Sequence, residues 1–265
     1  YKQIKDWLSS KGHKPFLYQE EALQHITDGR SGIVNAPTGC GKTFSVFLGA
    51  LIQFINENPT TYQTKQKNGL QLLWITPLRA LAKDIGRAME EVIFELGMKW
   101  KIGIRNGHTD ISERQKQKRQ MPEVLIITPE SLHLLLAQKG YPDYFQSLKI
   151  LAVDEWHELI GSKRGVQVEL AISRIVSICN SQLAGYKNEN NGQLQTVKRQ
   201  LSIWGISATI GNLDEAKEVL LSSLRTNESG VNDVIVKANL KKNVVIESVF
   251  PDEIEKYPWS GHLGI

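Results

Sequence analysis

The chain has 265 residues, 41% hydrophobic and 23% charged, an ordinary globular composition that suits one large domain or two small ones. Its net charge of +4 permits nucleic-acid binding without demanding it. Cys40 and Cys179 lie too far apart to suggest a disulfide framework, and no apolar run approaches the roughly 20 residues of a membrane span. The first residues, Tyr1-Lys2-Gln3-Ile4, carry neither Met nor an apolar signal core, so a cytoplasmic protein is expected, its chain starting inside a longer one.

In chain order, short apolar runs alternate with segments of helical period. Gly32 to Ala36 reads as a strand and Lys42 to Ile55 as a helix; Leu70 to Thr76 is a second strand, followed by a helix from Leu78 to about Leu96. Trp100 to Arg105 and Val124 to Thr128 are the next strands, with a helix from Glu130 to Gln138. Ile150 to Val153 precedes a helix from about Arg164 to Cys179, and Leu201 to Ile206 precedes one from Leu213 to Leu221. Asn56 to Asn68 and Ala184 to Val197 read as loops, the latter as a mobile insertion, and Val234 to Val236 and Val244 to Val249 are β-rich. Buried apolar strands separated by helices predict a mostly parallel sheet covered on both faces, with ligands outside the strands' carboxyl ends.

The strongest motif is A-P-T-G-C-G-K-T, residues 36–43. Gly39 and Gly41 allow a turn whose N–H groups, from Thr38 through Cys40 to Thr43, face a phosphate; Lys42 adds a charge and Thr43 a hydroxyl for Mg²⁺. Ala36 stands where the general phosphate-loop pattern has Gly. The second motif, D-E-W-H at 154–157, follows the strand Ile150 to Val153. Asp154 at a strand tip beside a phosphate loop suits Mg²⁺ held through water, and Glu155 suits a general base for an attacking water. ATP and Mg²⁺ are the expected cofactors.

These two motifs resemble motifs I and II of superfamily 2 helicases of the DEAD/DExH type. Gln19 in F-L-Y-Q, T-P-L-R-A-L at 76–81, T-P-E-S at 128–131 and S-A-T at 207–209 follow the same order. Within that superfamily, T-P-L-R-A-L-A-K-D and D-E-W-H-E-L-I-G-S-K-R-G-V-Q are most similar to the large helicase-related (Lhr) group and its ligase-associated DExH relatives. One departure is N-G-H-T at 106–109, where His108 replaces an acid and puts that acid's hydrogen bond in doubt.

The resemblance implies an α/β, RecA-like fold and an ATP-dependent helicase or translocase. It implies that Gln19 reads adenine, that His157, Ser207 and Thr209 couple the nucleotide site to a neighbouring domain, and that Thr76, Pro77, Arg79 and Thr128 lie along a nucleic-acid strand. Residues 1–30 would be a lead carrying the adenine-reading segment, 31–240 the first RecA-like domain, and 241–265 a linker towards a second such domain. Expected partners are that second domain, single-stranded or partly duplex nucleic acid with DNA favoured, and repair proteins; no membrane partner is expected. An RNA helicase, or a nucleotide-gated clamp that does not unwind, are the alternatives.

Read without the family, Gln19 is an exposed helix residue, Arg79 a solvated helix-start cation and Trp156 a packing residue. Arg114 to Arg119 reads as a solvated helix face. No arginine-bearing motif of a second domain follows Thr209, so the chain by itself is expected to bind ATP but hydrolyse it slowly.

Overall fold

The computed structural model describes residues 1–183, 201–208, 210–225 and 233–240. Two short helices open the chain, α1 (Lys2–Ser10) and α2 (Leu17–Thr27), before β1 (Ser31–Asn35) and α3 (Lys42–Glu57). Then follow β2 (Leu72–Ile75), α4 (Arg79–Glu95), β3 (Ile102–Arg105), α5 (Ile111–Arg119), β4 (Val124–Ile127) and α6 (Pro129–Leu136). The later elements are β5 (Ile150–Val153), α7 (Trp156–Leu159), α8 (Lys163–Leu183), β6 (Ser202–Ser207), α9 (Leu213–Leu221) and β7 (Asp233–Lys237).

Among the described residues the strands form one sheet of seven, in the order β3-β4-β2-β5-β6-β1-β7, and every neighbouring pair is parallel. Each strand therefore needs a crossover, and the crossovers cover both faces. Alternation along the strands sorts the side chains. Val34, Leu72, Trp74, Ile126, Ala152 and Trp204 pack under α2, α3 and α4. Ile33, Leu73, Ile75, Leu125, Leu151 and Ile203 pack under α6, α8 and α9.

The predicted strands and helices that fall on described residues recur with ends moved by at most four residues. Trp100 precedes β3 instead of opening it, because its ring is buried edge-on against Phe54 at 4.8 Å. The basic run Arg114 to Arg119 lies on α5, with Lys116, Lys118 and Arg119 in solvent and only Gln117 buried. The expected loop 184–197, Thr209, the β-rich piece Val244 to Val249 and the expected linker 241–265 lie outside the described residues.

Residues 1–30 share the core of the sheet, since Ile4, Tyr18, Ala22, Leu23 and Ile26 are buried in it. Gly49 on α3 allows this approach, because a Cβ there would meet Ile26 side-chain atoms at 2.8 Å. In the first turn of α8, Gly165 is more tightly constrained: a Cβ would lie 2.1 Å from the Leu159 carbonyl oxygen. Gly165→Ala should therefore destabilise the chain by about 1–3 kcal/mol, read from the urea midpoint.

Candidate functional site

Because all strands run one way, their carboxyl ends share one edge, and each motif leaves the sheet there. The register sets the motifs level: Asn35 pairs with Ser207, and Ile75 pairs with both Ile127 and Val153. The next residues, Ala36, Thr76, Thr128 and Asp154, thus form a row along the edge.

The glycine loop turns after Ala36. Gly39 and Gly41 adopt φ of 79° and 77°, a left-handed conformation that suits glycine, and Gly41 caps the N-terminus of α3. Lys42 and Thr43 open that helix; Lys42 is buried and Thr43 half-buried. Thr38 and Gly39 are exposed and Cys40 half-buried. A turn of backbone N–H groups at a helix N-terminus with a lysine in place can bind an anion such as a phosphate chain.

Helix α2 grips this loop from behind. The Tyr18 hydroxyl donates to the Cys40 carbonyl, and burial pushes its pKa up to about 12, so it stays a donor. Gln19 Nε2 donates to the Gly41 carbonyl at 3.1 Å, and Gln19 Oε1 accepts from Phe16 N at 2.9 Å. An amide offers two N–H and two acceptor sites, so half of Gln19 remains for a ligand. A cleft of about 410 Å³ opens beside it, walled by Phe16, Phe44 and Cys40 and closed at the far side by α1 and α4. There Trp7 Nε1 and Lys11 Nζ both donate to the Glu95 carboxylate, at 2.6 Å each. Phe16 and Tyr18 are residues the sequence reading passed over; the signal was the aromatic pair in F-L-Y-Q.

The acidic motif follows β5. Asp154 is buried, accepts from Trp74 Nε1 at 3.3 Å and from Glu155 N at 3.0 Å, and has its pKa pushed up to about 6. Desolvation is the largest cause and the charge of Glu155 the next, while Lys42 draws the value back down. Glu155 has φ 47°, the one positive value among described non-glycine residues. This left-handed residue stands at the N-cap of the short helix α7. Trp156 points the other way, fully buried and bonded to the Ala216 carbonyl, which makes it a packing residue.

His157 stands between two motifs. Its Nδ1 lies 3.4 Å from Glu155 Oε2 and 3.2 Å from Ser207 Oγ. Asn35 Nδ2 donates to the Ala208 carbonyl at 2.8 Å, tying the end of β6 to β1. As hard-oxygen donors, Thr43 and Asp154 fit a small divalent cation. Among the described residues no group of three or more His, Cys, Asp or Glu could hold a metal, so such an ion would take its other oxygens from ligand and water, as Mg²⁺ does.

Of the residues expected along a nucleic-acid strand, three lie inward. Thr76 and Thr128 are 0% and 2% exposed, and their N–H groups continue the ladder to Ile127 and Arg105. Thr128 Oγ1 bonds Ser131 Oγ, and Pro77 is buried as well. The parallel ladder runs one residue past β2 and β4, out to the predicted strand ends, and that draws both threonines inward. Arg79 alone of the four is exposed, at the first turn of α4. Arg164, which was not singled out, links two of these segments: it donates to Glu130 at 2.7 Å and to the Pro77 carbonyl at 3.0 Å.

The family model for DEAD/DEAH box helicases matches residues 16–216. The chain is 30% identical over 261 residues to the ATP-dependent helicase Lhr-Core of Methanocaldococcus jannaschii, covering 94% of this chain and 27% of that protein. The structure of Mycobacterium smegmatis helicase Lhr bound to ssDNA and AMP-PNP superposes with a TM-score of 0.66 and 26% identity, over 91% of this chain and 28% of that one. The DUF1998 helicase MrfA bound to DNA and AMPPNP gives a TM-score of 0.68 and 26% identity, over 90% of this chain and 29% of that one. The fold is thus that of a RecA-like helicase domain, and the chain spans just over a quarter of these relatives.

The raised pKa of Asp154 has a consequence for stability. Between the ordinary value of 3.8 and about 6, the folded state keeps a proton that the unfolded chain has lost. Stability from this group is therefore full below about pH 4 and is lost as pH rises through 6. Asp154→Asn should flatten that fall and stabilise the chain at pH 7 by about 1–3 kcal/mol, measured by urea denaturation at pH 4.5 and 7. Separately, Tyr18→Phe removes one bond behind the glycine loop and should weaken nucleotide binding roughly fivefold, read by titration of a fluorescent ATP analogue.

Proposed function

The chain belongs to the DEAD/DEAH box helicase family, and from that premise we propose that it is the ATP-binding half of a nucleic-acid motor. The observation that carries the reading is the convergence of Lys42, Asp154, Glu155, His157 and Ser207 at one edge of the sheet. Residues 31–240 act as the first RecA-like domain, with the segment before them supplying Gln19. A second such domain in the longer protein completes the site.

The adenine occupies the cleft beside Gln19, whose remaining N–H and lone pair match the donor and acceptor on one adenine edge. The triphosphate lies along Thr38, Gly39, Cys40, Gly41 and Thr43, with Lys42 at the β- and γ-phosphates. The Thr43 hydroxyl and, through water, Asp154 would hold Mg²⁺, which when bound would neutralise charge on those phosphates. Glu155 orients a water and accepts its proton as the oxygen bonds to the γ-phosphorus and the bond to the β–γ bridging oxygen breaks. The products are ADP and phosphate. His157, between Glu155 and Ser207, relays the state of the γ-phosphate to the end of β6 and from there to the second domain.

This chain alone hydrolyses ATP slowly, because the transition-state arginine belongs to the second domain; such a group contributes about 10³–10⁵ in rate in P-loop enzymes. DNA is the assigned polymer, supported by similar structures described as bound to DNA or ssDNA. ATPase stimulation of the longer protein by single-stranded DNA against RNA decides between the two. In that protein Glu155→Gln should lower hydrolysis by about 10²–10⁴-fold while ATP binding stays within a few-fold. Unchanged turnover in that variant overturns the assignment of the base.

A further inference from the structure

The cleft beside Gln19 has one firm side and one that a single carboxylate holds in place. On the firm side stand Phe16 and Gln19 at the start of α2, Cys40 on the glycine loop and Phe44 on α3. Both of those helices bury apolar residues in the core of the sheet. Across the cleft are Trp7, Leu8 and Lys11, from the last turn and C-cap of α1. Ile4 alone of the nine residues of α1 is buried, and Trp7 and Leu8 reach the core only in part. After α1 the chain turns at Gly12, with φ of 71°, and reaches α2 through His13, Lys14 and Pro15 without further helix.

Glu95, the last residue of α4, makes the connection. One carboxylate oxygen accepts from Trp7 Nε1 and the other from Lys11 Nζ. Trp7 and Lys11 are four residues apart and so share one face of α1, which lets one acid hold both. Lys11 first, and Trp7 next, keep the Glu95 carboxyl below its usual range, so it is ionised at neutral pH. α4 is itself fixed to the sheet, since Ile85, Met89 and Val92 are buried.

We propose that Glu95 is a positioning residue for nucleotide selection: it holds α1 as the outer wall of the cleft, and that wall lets the site prefer adenine to guanine. The inference rests on the reading that this cleft takes the base of ATP. Behind a closed wall the base has no water to turn to, so a base that mismatches Gln19 leaves polar groups unpaired and is rejected. With α1 loose, water reaches the same groups and the penalty for the wrong base falls. The triphosphate is held by the glycine loop and Lys42, away from α1, and does not depend on the wall.

The test is isothermal titration calorimetry of the chain and of its Glu95→Ala variant with ATP, GTP and inorganic tripolyphosphate, each with Mg²⁺. Glu95→Ala should weaken ATP binding about threefold to tenfold, the scale of one or two lost hydrogen bonds. Tripolyphosphate should stay within about twofold, which also shows that the glycine loop is intact, and the preference for ATP over GTP should narrow. The role of Glu95 is overturned, while the base cleft stands, if the variant binds ATP as the parent does. It is equally overturned if GTP or tripolyphosphate weakens as far as ATP, or if the parent binds GTP as well as ATP. A parent that binds ATP no better than tripolyphosphate overturns the base cleft too.

Discussion

The parallel register of the sheet is the constraint from which the rest follows. Six parallel pairings leave no short hairpin available, so each strand returns through a helix and every loop at the carboxyl end faces the same way. The glycine loop, the D-E-W-H turn, the T-P segments and the end of β6 are distant in sequence and adjacent in space for that reason alone. β6 lies between β5 and β1, which puts Ser207 between Asp154 and the glycine loop. A slip of one residue in any strand would turn its apolar side chains to the wrong face, so the register that fills the core also levels the site.

The same edge concentrates polar groups that a folded chain ordinarily avoids. Asp154 is a carboxylate at the end of a buried strand, with a pKa lifted by desolvation to about 6. Glu155 takes a left-handed backbone, and Thr76 is buried with no partner for its hydroxyl. Each is unfavourable for stability taken singly. They cluster where the cation of Lys42 and the half-buried Thr43 face them. Such a cluster is what an anionic ligand with its own divalent ion would compensate.

Around that centre the chain builds supports of a different kind. Tyr18 and Gln19 hold the carbonyls of Cys40 and Gly41, so the shape of the loop depends on a helix whose apolar residues belong to the core of the sheet. Arg164 ties the segment after β2 to the start of α6, and Arg114 fixes the loop after β3. Two of these arginines spend their charge internally, on carbonyls or a carboxylate. Arg79 does not, and it lies on the same edge.

Local sequence determined much of this protein. Apolar runs of four to six residues set the strands, and A-P-T-G-C-G-K-T and D-E-W-H identified two turns whose chemistry follows from residue type and order. The order of six motifs placed the chain in its family, and the period of α3, α4 and α9 located those helices closely. What periodicity could not reveal was depth. Thr76 and Thr128 close two predicted strands, but that the ladder carries them fully inside was not legible, because burial at a strand end depends on how far its neighbours extend. The grip of Tyr18 on the glycine loop, the arginine bridge at 164 and the meeting of Arg79 with His108 each join residues separated by at least 22 positions. Contacts of that range are decided only when the helices dock on the sheet, since no local pattern encodes which loops the parallel register will bring together.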